Sequence, residues 1–268
     1  MSTSFAASSV GVVIIFGDRD PQAARNLVHT LAAQTRPPES VVLVNFGSPC
    51  PLLEKACTPF PYLYRHLPQG LPWCLPLAKN QGVRLLSPVE TVLFLDADIL
   101  LAPDFIECGL RRLKPGVMLN CRILDLPQGA LQPDTDIIRD FQHLKTLSTP
   151  RAEITAVGAC QWVRMSAFQA LRGRDEGFKM WGFEDMDFQR RARWLGLESV
   201  HLDEETAMLH QWHVSKDTVL ENPRTPREKA ASHWFGQNRK RIRYRAAQWD
   251  LCKYDPQEIN PDGWGKIP

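Results

Sequence analysis

The stretch Thr91-Val92-Leu93-Phe94-Leu95-Asp96-Ala97-Asp98 constrains this chain most. An apolar run leads straight into two carboxylates. Such a run reads as a strand buried on both faces, as in a parallel sheet. Side chains alternate along a strand. Asp96 and Asp98 therefore face one side while the backbone stays extended, with Cα atoms roughly 6.5 Å apart. Open α/β sheets take ligands beyond the carboxyl ends of their strands. Two anions at the end of a buried strand need a positive partner, and a divalent cation carrying a phosphorylated ligand meets that need. The competing reading is helix-start chemistry, with Asp98 or Asp104 capping a helix that begins near Pro103.

The elements around this strand alternate. Val10–Phe16 reads as a first buried strand, followed by the loop Gly17-Asp18-Arg19-Asp20-Pro21. Asp20 suits an N-cap and Pro21 a first helical position. Ala24, Leu27, Val28 and Leu31 then form a helical stripe, stopped by Pro37-Pro38. Val41–Val44 is the second strand. Strand, helix, strand implies a right-handed crossover and a parallel pair. Further along, the pattern predicts a short strand within 62–67 and helices over about 75–86 and 105–113. Residues 116–124 are extended, 134–147 helical, and 158–165 a strand. Ser166 caps a short helix to Leu171. Two short extended segments, 199–202 and 206–209, precede His210-Gln211-Trp212-His213, and 226–247 is helical.

Length and composition bound the rest. At 268 residues the chain fits one large α/β domain or a domain with a C-terminal extension, and an apolar fraction of 44% supports a sizeable core. With 32 basic and 30 acidic residues the net charge is +2, so bulk charge suggests neither nucleic acid nor membrane. No apolar run approaches the ~18 residues of a membrane span, and no signal peptide is legible. The seven cysteines are scattered, with no Cys-x-x-Cys pair, which suits reduced thiols and a cytoplasmic location. The basic run Arg239–Arg245 reads first as a solvated helix face. Its alternative is an anionic glycan or a peripheral membrane contact at the inner face of the membrane.

A second chemical cluster is Glu176-Gly177-Phe178-Lys179-Met180-Trp181-Gly182-Phe183-Glu184-Asp185-Met186-Asp187. Three acids in a first helical turn suit the helix dipole, and Asp187 pairs with Arg191 at i,i+4. Helix-start chemistry does not explain why a Trp-Gly-Phe loop delivers them. A ring that covers a pyranose face beside a carboxylate that takes its hydroxyls is a common sugar site. His210 and His213, three apart, point to opposite faces of a strand, so a bend is needed to converge them. Spacing alone makes them surface residues.

Taken in order, these pieces resemble inverting glycosyltransferases of the GT-A fold over roughly residues 10–215. The N-terminal half resembles the large family-two group through Val13-Ile14-Ile15-Phe16, Asp18-Arg19, Val44-Asn45-Phe46-Gly47-Ser48, Ala78-Lys79-Asn80-Gln81-Gly82 and Phe94-Leu95-Asp96-Ala97-Asp98. One departure is Asn45, where many relatives place an Asp on uracil. The second half resembles the galactosyltransferase module of β-1,4-galactosyltransferases and chondroitin-synthase-like enzymes. There Trp181-Gly182-Phe183-Glu184-Asp185 matches a Trp-Gly-x-Glu-Asp signature, and Gly158-Ala159-Cys160 matches the segment near the donor sugar. His210-x-x-His213 stands where that module has Met-x-x-His. A dehalogenase-type phosphatase also has a strand ending in Asp-x-Asp, but continues with Gly-Thr; this chain continues with Ile99-Leu100-Leu101.

The resemblance implies an α/β GT-A (nucleotide-diphospho-sugar transferase) fold, with a mostly parallel central sheet flanked by helices. It implies a transferase domain over 1–215: a nucleotide-binding half at about 8–100, an acceptor and catalytic half at 101–215, and a helical and irregular extension at 216–268 packed on it. The implied donor is a nucleotide sugar, UDP-linked, and the acceptor a hydroxyl of a saccharide or glycoconjugate. The cofactor is Mn2+ or Mg2+, with manganese favoured by a mixed carboxylate and imidazole site. Asp98 and His213 are the expected metal ligands, with His210 ranked below them. Phe16, Asp18, Arg19, Asn45, Lys79, Asn80, Asp96 and Gly158 are expected at the donor. Trp181, Gly182 and Phe183 are expected at the sugar, with Glu184 holding hydroxyls. Asp185 is the expected general base of an inverting displacement. The alternatives are a retaining N-acetylgalactosaminyltransferase-like enzyme, which usually has Asn at the position of Asp185, and a non-catalytic glycan or nucleotide-sugar binder.

Overall fold

The computed structural model describes residues 9–54, 61–151, 157–213, 222–249 and 253–266. The first half alternates as its pattern requires: β1 (Val10–Phe16), α1 (Pro21–Ala32), β2 (Ser40–Asn45), α2 (Pro51–Glu54), β3 (Leu63–His66), α3 (Leu75–Leu85) and β4 (Thr91–Asp96). Then follow β5 (Ile99–Leu101), α4 (Phe105–Arg112), β6 (Val117–Asn120), β7 (Ile123–Asp125), α5 (Phe141–Leu147) and β8 (Thr149–Pro150). Next come β9 (Cys160–Arg164), α6 (Met165–Ala170), α7 (Glu184–Trp194), β10 (Glu198–His201), β11 (Met208–His210) and α8 (Pro226–Gln248).

Seven strands form the central sheet in the order β10-β6-β9-β4-β1-β2-β3. All neighbours are parallel except at β9, which runs against both β4 and β6. β1 shows why this sheet is a middle layer. Val10, Val12, Ile14 and Phe16 pack on one side with Leu27 and Leu31 of α1 and Phe105 of α4. Val13 and Ile15 pack on the other with Ala78 of α3, Phe168 of α6 and Phe188 of α7. Period-two alternation with both faces apolar requires cover on both sides, and helices supply most of it here. A second sheet, β5-β11-β7-β8, closes over α5.

The first helix begins as its sequence dictates: the Asp20 carboxylate accepts from the Gln22 amide, with Pro21 as the first helical residue. Other expectations change. The central strand does not stay extended through Asp98. It ends at Asp96, turns at Ala97-Asp98 and starts β5 in the second sheet. Residues 116–124 likewise divide between β6 in one sheet and β7 in the other. Only Phe141–Leu147 of 134–147 is an α-helix. Ahead of it, Asp136 Oδ1 accepts from the Arg139 amide and Thr135 Oγ1 from the Gln132 amide, side-chain bonds that compete with a continuous helix. Helix α6 starts at Met165, so Ser166 lies inside it.

The basic side chains of the run Arg239–Arg245 form a solvated face except at one position. Arg245 is buried, and its guanidinium pairs with Asp175 and, at 2.6 Å, with Asp187; Arg241 lies 2.9 Å from Asp175. Asp187 also takes the expected Arg191 partner at 2.7 Å. Arg245 thus ties α8 to α7 and its preceding loop, whereas Arg239, Lys240, Arg241 and Arg243 stay exposed. Cys50, Cys74, Cys108, Cys121 and Cys160 are buried free thiols. Cys57, Cys252 and the start of the extension, 216–221, lie outside the described residues.

Candidate active site

The chain reverses its lateral direction at β1: β2 and β3 lie on one side, β4 on the other. Ligands bind at such switch points, beyond the strands' carboxyl ends. Here the two loops that leave β1 and β4 carry Arg19 and Asp98. Leaving the strand turns Asp98 inward, where it is 7% exposed. Its carbonyl accepts from the Gln211 amide at 2.8 Å, which brings the end of β11 alongside. The Gln211 side chain is buried against α1, bonded to Asn26 and to the Ala23 carbonyl. That anchor supplies the bend the two histidines require. With Gln211 turned away, both imidazoles face Asp98, their rings 4.9 Å apart.

His213 Nε2 lies 3.3 Å from Asp98 Oδ2, and His210 Nε2 lies 3.7 Å from Asp98 Oδ1. Ligand atoms of the three residues fall within 4.8 Å of one another. Asp98 Oδ1 is buried without a hydrogen-bond partner. Burial opposes ionisation of Asp98, but His213, His210 and Arg19 overcome it and hold the carboxyl down to about 2. A buried carboxylate oxygen aimed at imidazole nitrogen fits a divalent cation, by donor type and by position. Arg19 sits at the rim, its Nη1 3.3 Å from His213 Nδ1 and its Nε 3.9 Å from Asp98.

Behind His210 stand two residues with no sequence signal, Asp125 at the end of β7 and Arg151. Parallel pairing places Asp125 opposite His210. Asp125 Oδ1 lies 2.9 Å from His210 Nδ1, and the Arg151 fork grips the same carboxylate.

Asp185, in the first turn of α7, lies in a different setting. Its Oδ1 accepts from Lys79 Nζ at 2.8 Å and Arg174 Nη1 at 2.5 Å. Arg174 is wholly buried and sandwiched between Phe94 and Phe188, 4.4 and 4.5 Å from their ring centroids. Burial raises the Asp185 pKa, but Lys79 and Arg174 outweigh it, so the carboxyl lies well below its ordinary range. A Cβ on Gly158 would come within 2.2 Å of Asp185 Oδ2, so only glycine admits the carboxylate here. Lys79, expected at a phosphate, is thus placed on the carboxylate.

Trp181-Gly182-Phe183 wraps Phe235 of α8, with ring centroids 5.3 Å (Trp181) and 4.9 Å (Phe183) away. Gly182 has φ +100 and its missing Cβ leaves room for the Phe235 ring. Glu184 is buried beside Asp185 at the helix start.

The remaining expected donor residues are spread out. Asp96 ends β4, partly exposed. Asp18 clamps the loops, its Oδ1 accepting from the Ser48 amide and Oδ2 from Arg227 of α8, each at 2.6–2.7 Å. Three of the expected donor residues are buried among the protein's own groups. Phe16 is in the core. Asn45 is buried, bonded to Ser48, Tyr64 and Gly47. Asn80 is buried, with both amide hydrogens donated, to the Arg174 carbonyl and Glu176, and its oxygen accepting from the Arg174 amide. Asp104, the alternative helix cap, accepts from Thr206 Oγ1 instead of capping.

No protein-family model matches the chain. It is 28% identical over 234 residues to the O-antigen biosynthesis protein RfbC of Myxococcus xanthus, a match that covers 77% of this chain and 18% of that protein. The chain therefore spans less than a fifth of that relative's length. Among solved structures, GalNAc-T7, determined with UDP, GalNAc and Mn2+, aligns at a TM-score of 0.58 and 15% identity, covering 94% of this chain and 54% of that one. S. aureus TarS aligns at 0.55 and 15% identity, covering 80% and 38%. At such identity the likeness speaks for architecture, and with the sheet order above it gives the conclusion that this chain has the GT-A glycosyltransferase fold.

Proposed function

We propose that the chain is a metal-dependent glycosyltransferase. It would move a hexosyl or N-acetylhexosaminyl group from a UDP-sugar to a hydroxyl of a saccharide or glycoconjugate. Residues 1–215 form the transferase domain in this reading, and the rest an extension packed on it. The observation that carries the reading is the buried Asp98 carboxylate at the sheet's switch point, with Oδ1 unpartnered toward His210 and Oδ2 toward His213. GalNAc-T7, a structural neighbour, was determined with UDP and Mn2+, which agrees with it.

Asp98, His210 and His213 would hold Mn2+ or Mg2+. A cation there would neutralise charge on the departing diphosphate. Arg19 lies at the rim where an anionic group approaches, and Asp96 stands at the neighbouring strand end for ribose or donor sugar. Lys79 and Arg174 occupy one oxygen of Asp185 and fix its rotamer. Oδ2 then remains to take the proton of the acceptor hydroxyl. The faces of Trp181 and Phe183 suit the apolar side of a sugar ring, and Glu184 adds a carboxylate at the same helix start.

One observation favours the retaining alternative. Two cations on Asp185 keep it ionised but make it a weak base, and base strength governs proton transfer. The test uses a UDP-sugar panel with manganese. Transfer or hydrolysis should require manganese, and the anomeric proton coupling of the product by NMR should show inversion. Retention would assign the second reading. No turnover and no UDP-sugar binding would refute both.

A further inference from the structure

We propose that Asp125, held by Arg151, is a positioning residue that fixes the His210 ring with its proton on Nδ1, leaving Nε2 as a lone-pair donor toward Asp98. The inference rests on the metal-site reading above and deepens it.

The geometry is particular. β11 and β7 are parallel neighbours with His210 and Asp125 in register, so the backbone fixes the spacing of the two side chains. Asp125 Oδ1 stands 2.9 Å from His210 Nδ1, within hydrogen-bond range. Arg151 Nη2 also lies 3.2 Å from that nitrogen with a second N–H, but its other N–H and Nε–H grip the Asp125 carboxylate, and that charged carboxylate stands the closer of the two to Nδ1. The Arg151 amide in turn donates to the Ile123 carbonyl at 2.9 Å, which pins the arginine to the same strand. A carboxylate accepts and never donates, so the closer contact requires Nδ1–H. Neutral imidazole then has its only lone pair on Nε2. That nitrogen faces Asp98 Oδ1, the buried oxygen without a partner. Two acceptors facing each other cost free energy until a cation lies between them. A carboxylate behind a ligating histidine fixes its tautomer and raises its basicity.

His213 Nδ1 meets the Arg19 guanidinium at 3.3 Å. His210 has the Asp125 carboxylate on its Nδ1 side, although the sequence ranks it below His213.

The 268-residue chain tests this without any sugar donor. Long-range 1H–15N NMR of the metal-free protein at neutral pH reads each histidine's tautomer, with His210→Gln identifying the signal. The expected result is Nδ1–H for His210, and Nε2–H would overturn the proposal. Manganese binding is then measured by calorimetry without nucleotide. Asp125→Ala should weaken it about 10- to 100-fold, the usual loss for a carboxylate behind a ligating histidine. Asp125→Asn, which keeps an acceptor oxygen, should recover part of the loss. If wild type binds manganese and Asp125→Ala binds it equally, the positioning role is wrong and the metal site stands. If wild type binds no manganese, with or without UDP, the metal reading falls and this inference with it. Should Asp125→Ala fail to fold, the tautomer and Asp125→Asn decide.

Discussion

At the scale of single residues, the candidate site consists of two carboxylates in opposite electrostatic settings. Asp98 faces imidazoles with one oxygen unpartnered, whereas Asp185 has an oxygen shared by Lys79 and Arg174. Replacing Asp185 by Asn keeps the shape and removes the proton acceptor. We expect transfer to fall by about 10²–10⁴ with UDP-sugar affinity retained; near-normal transfer would remove Asp185 from the role of base. The histidines give a second prediction. His210→Ala should raise the manganese concentration needed for half-maximal UDP binding at least as much as His213→Ala does, and the reverse order would restore the sequence ranking. The sequence singles out Asp98 by its motif and the two histidines only through the resemblance, their spacing alone reading as surface residues. Their convergence was not legible, because it depends on Gln211 burying its amide against α1. Asp125, Arg151 and Arg174 left no local signal. Each acts through a partner distant in sequence, and no periodicity records such a contact.

At the scale of elements, β1, α1, β2 and β4 were legible because alternation, capping and apolar runs agree there. The helix predicted for 134–147 was shortened by side chains that bond the local backbone. The break after Asp96 was invisible to a pattern that stays apolar through Ile99-Leu100-Leu101. Helix α8 shows how tertiary contacts override a sequence reading. Its basic run looks solvated, yet Arg245 serves Asp175 and Asp187 inside the protein. Arg245→Ala leaves both acids with one partner fewer. We expect a loss of about 3 kcal/mol in urea denaturation, near the low end for breaking a buried ion pair. An unchanged midpoint would show that Arg191 and Arg241 suffice. Gly158→Ala should leave β9 intact but displace Asp185, since the added methyl meets its oxygen. The expected signature is reduced transfer with manganese-dependent UDP binding preserved.

Across the whole molecule, the helices pack on both faces of one sheet whose switch point carries the metal-ligand candidates. No helix among the described residues is long and apolar enough to cross a membrane. The buried acids give the fold a defined response to pH. For Asp175, burial raises the pKa, but Arg245 and Arg241 lower it further, to a net value below the ordinary 3.8; Asp185 is also lowered. Between the folded and unfolded values the unfolded chain binds more protons, so stability rises with pH there. This contribution is complete above about pH 4 and is lost as the pH falls further. Thermal melts should be insensitive to these groups from pH 5 to 7 and drop steeply below 4. Arg245→Ala should show a shallower drop.

The central claim is that Asp98 makes nucleotide binding depend on a divalent cation. Isothermal calorimetry of UDP with and without manganese, on wild type and Asp98→Asn, tests it most directly. The account predicts UDP binding to wild type only with manganese, and loss of that binding in Asp98→Asn at an unchanged melting temperature. Equal manganese-dependent UDP affinity in the two proteins would contradict it.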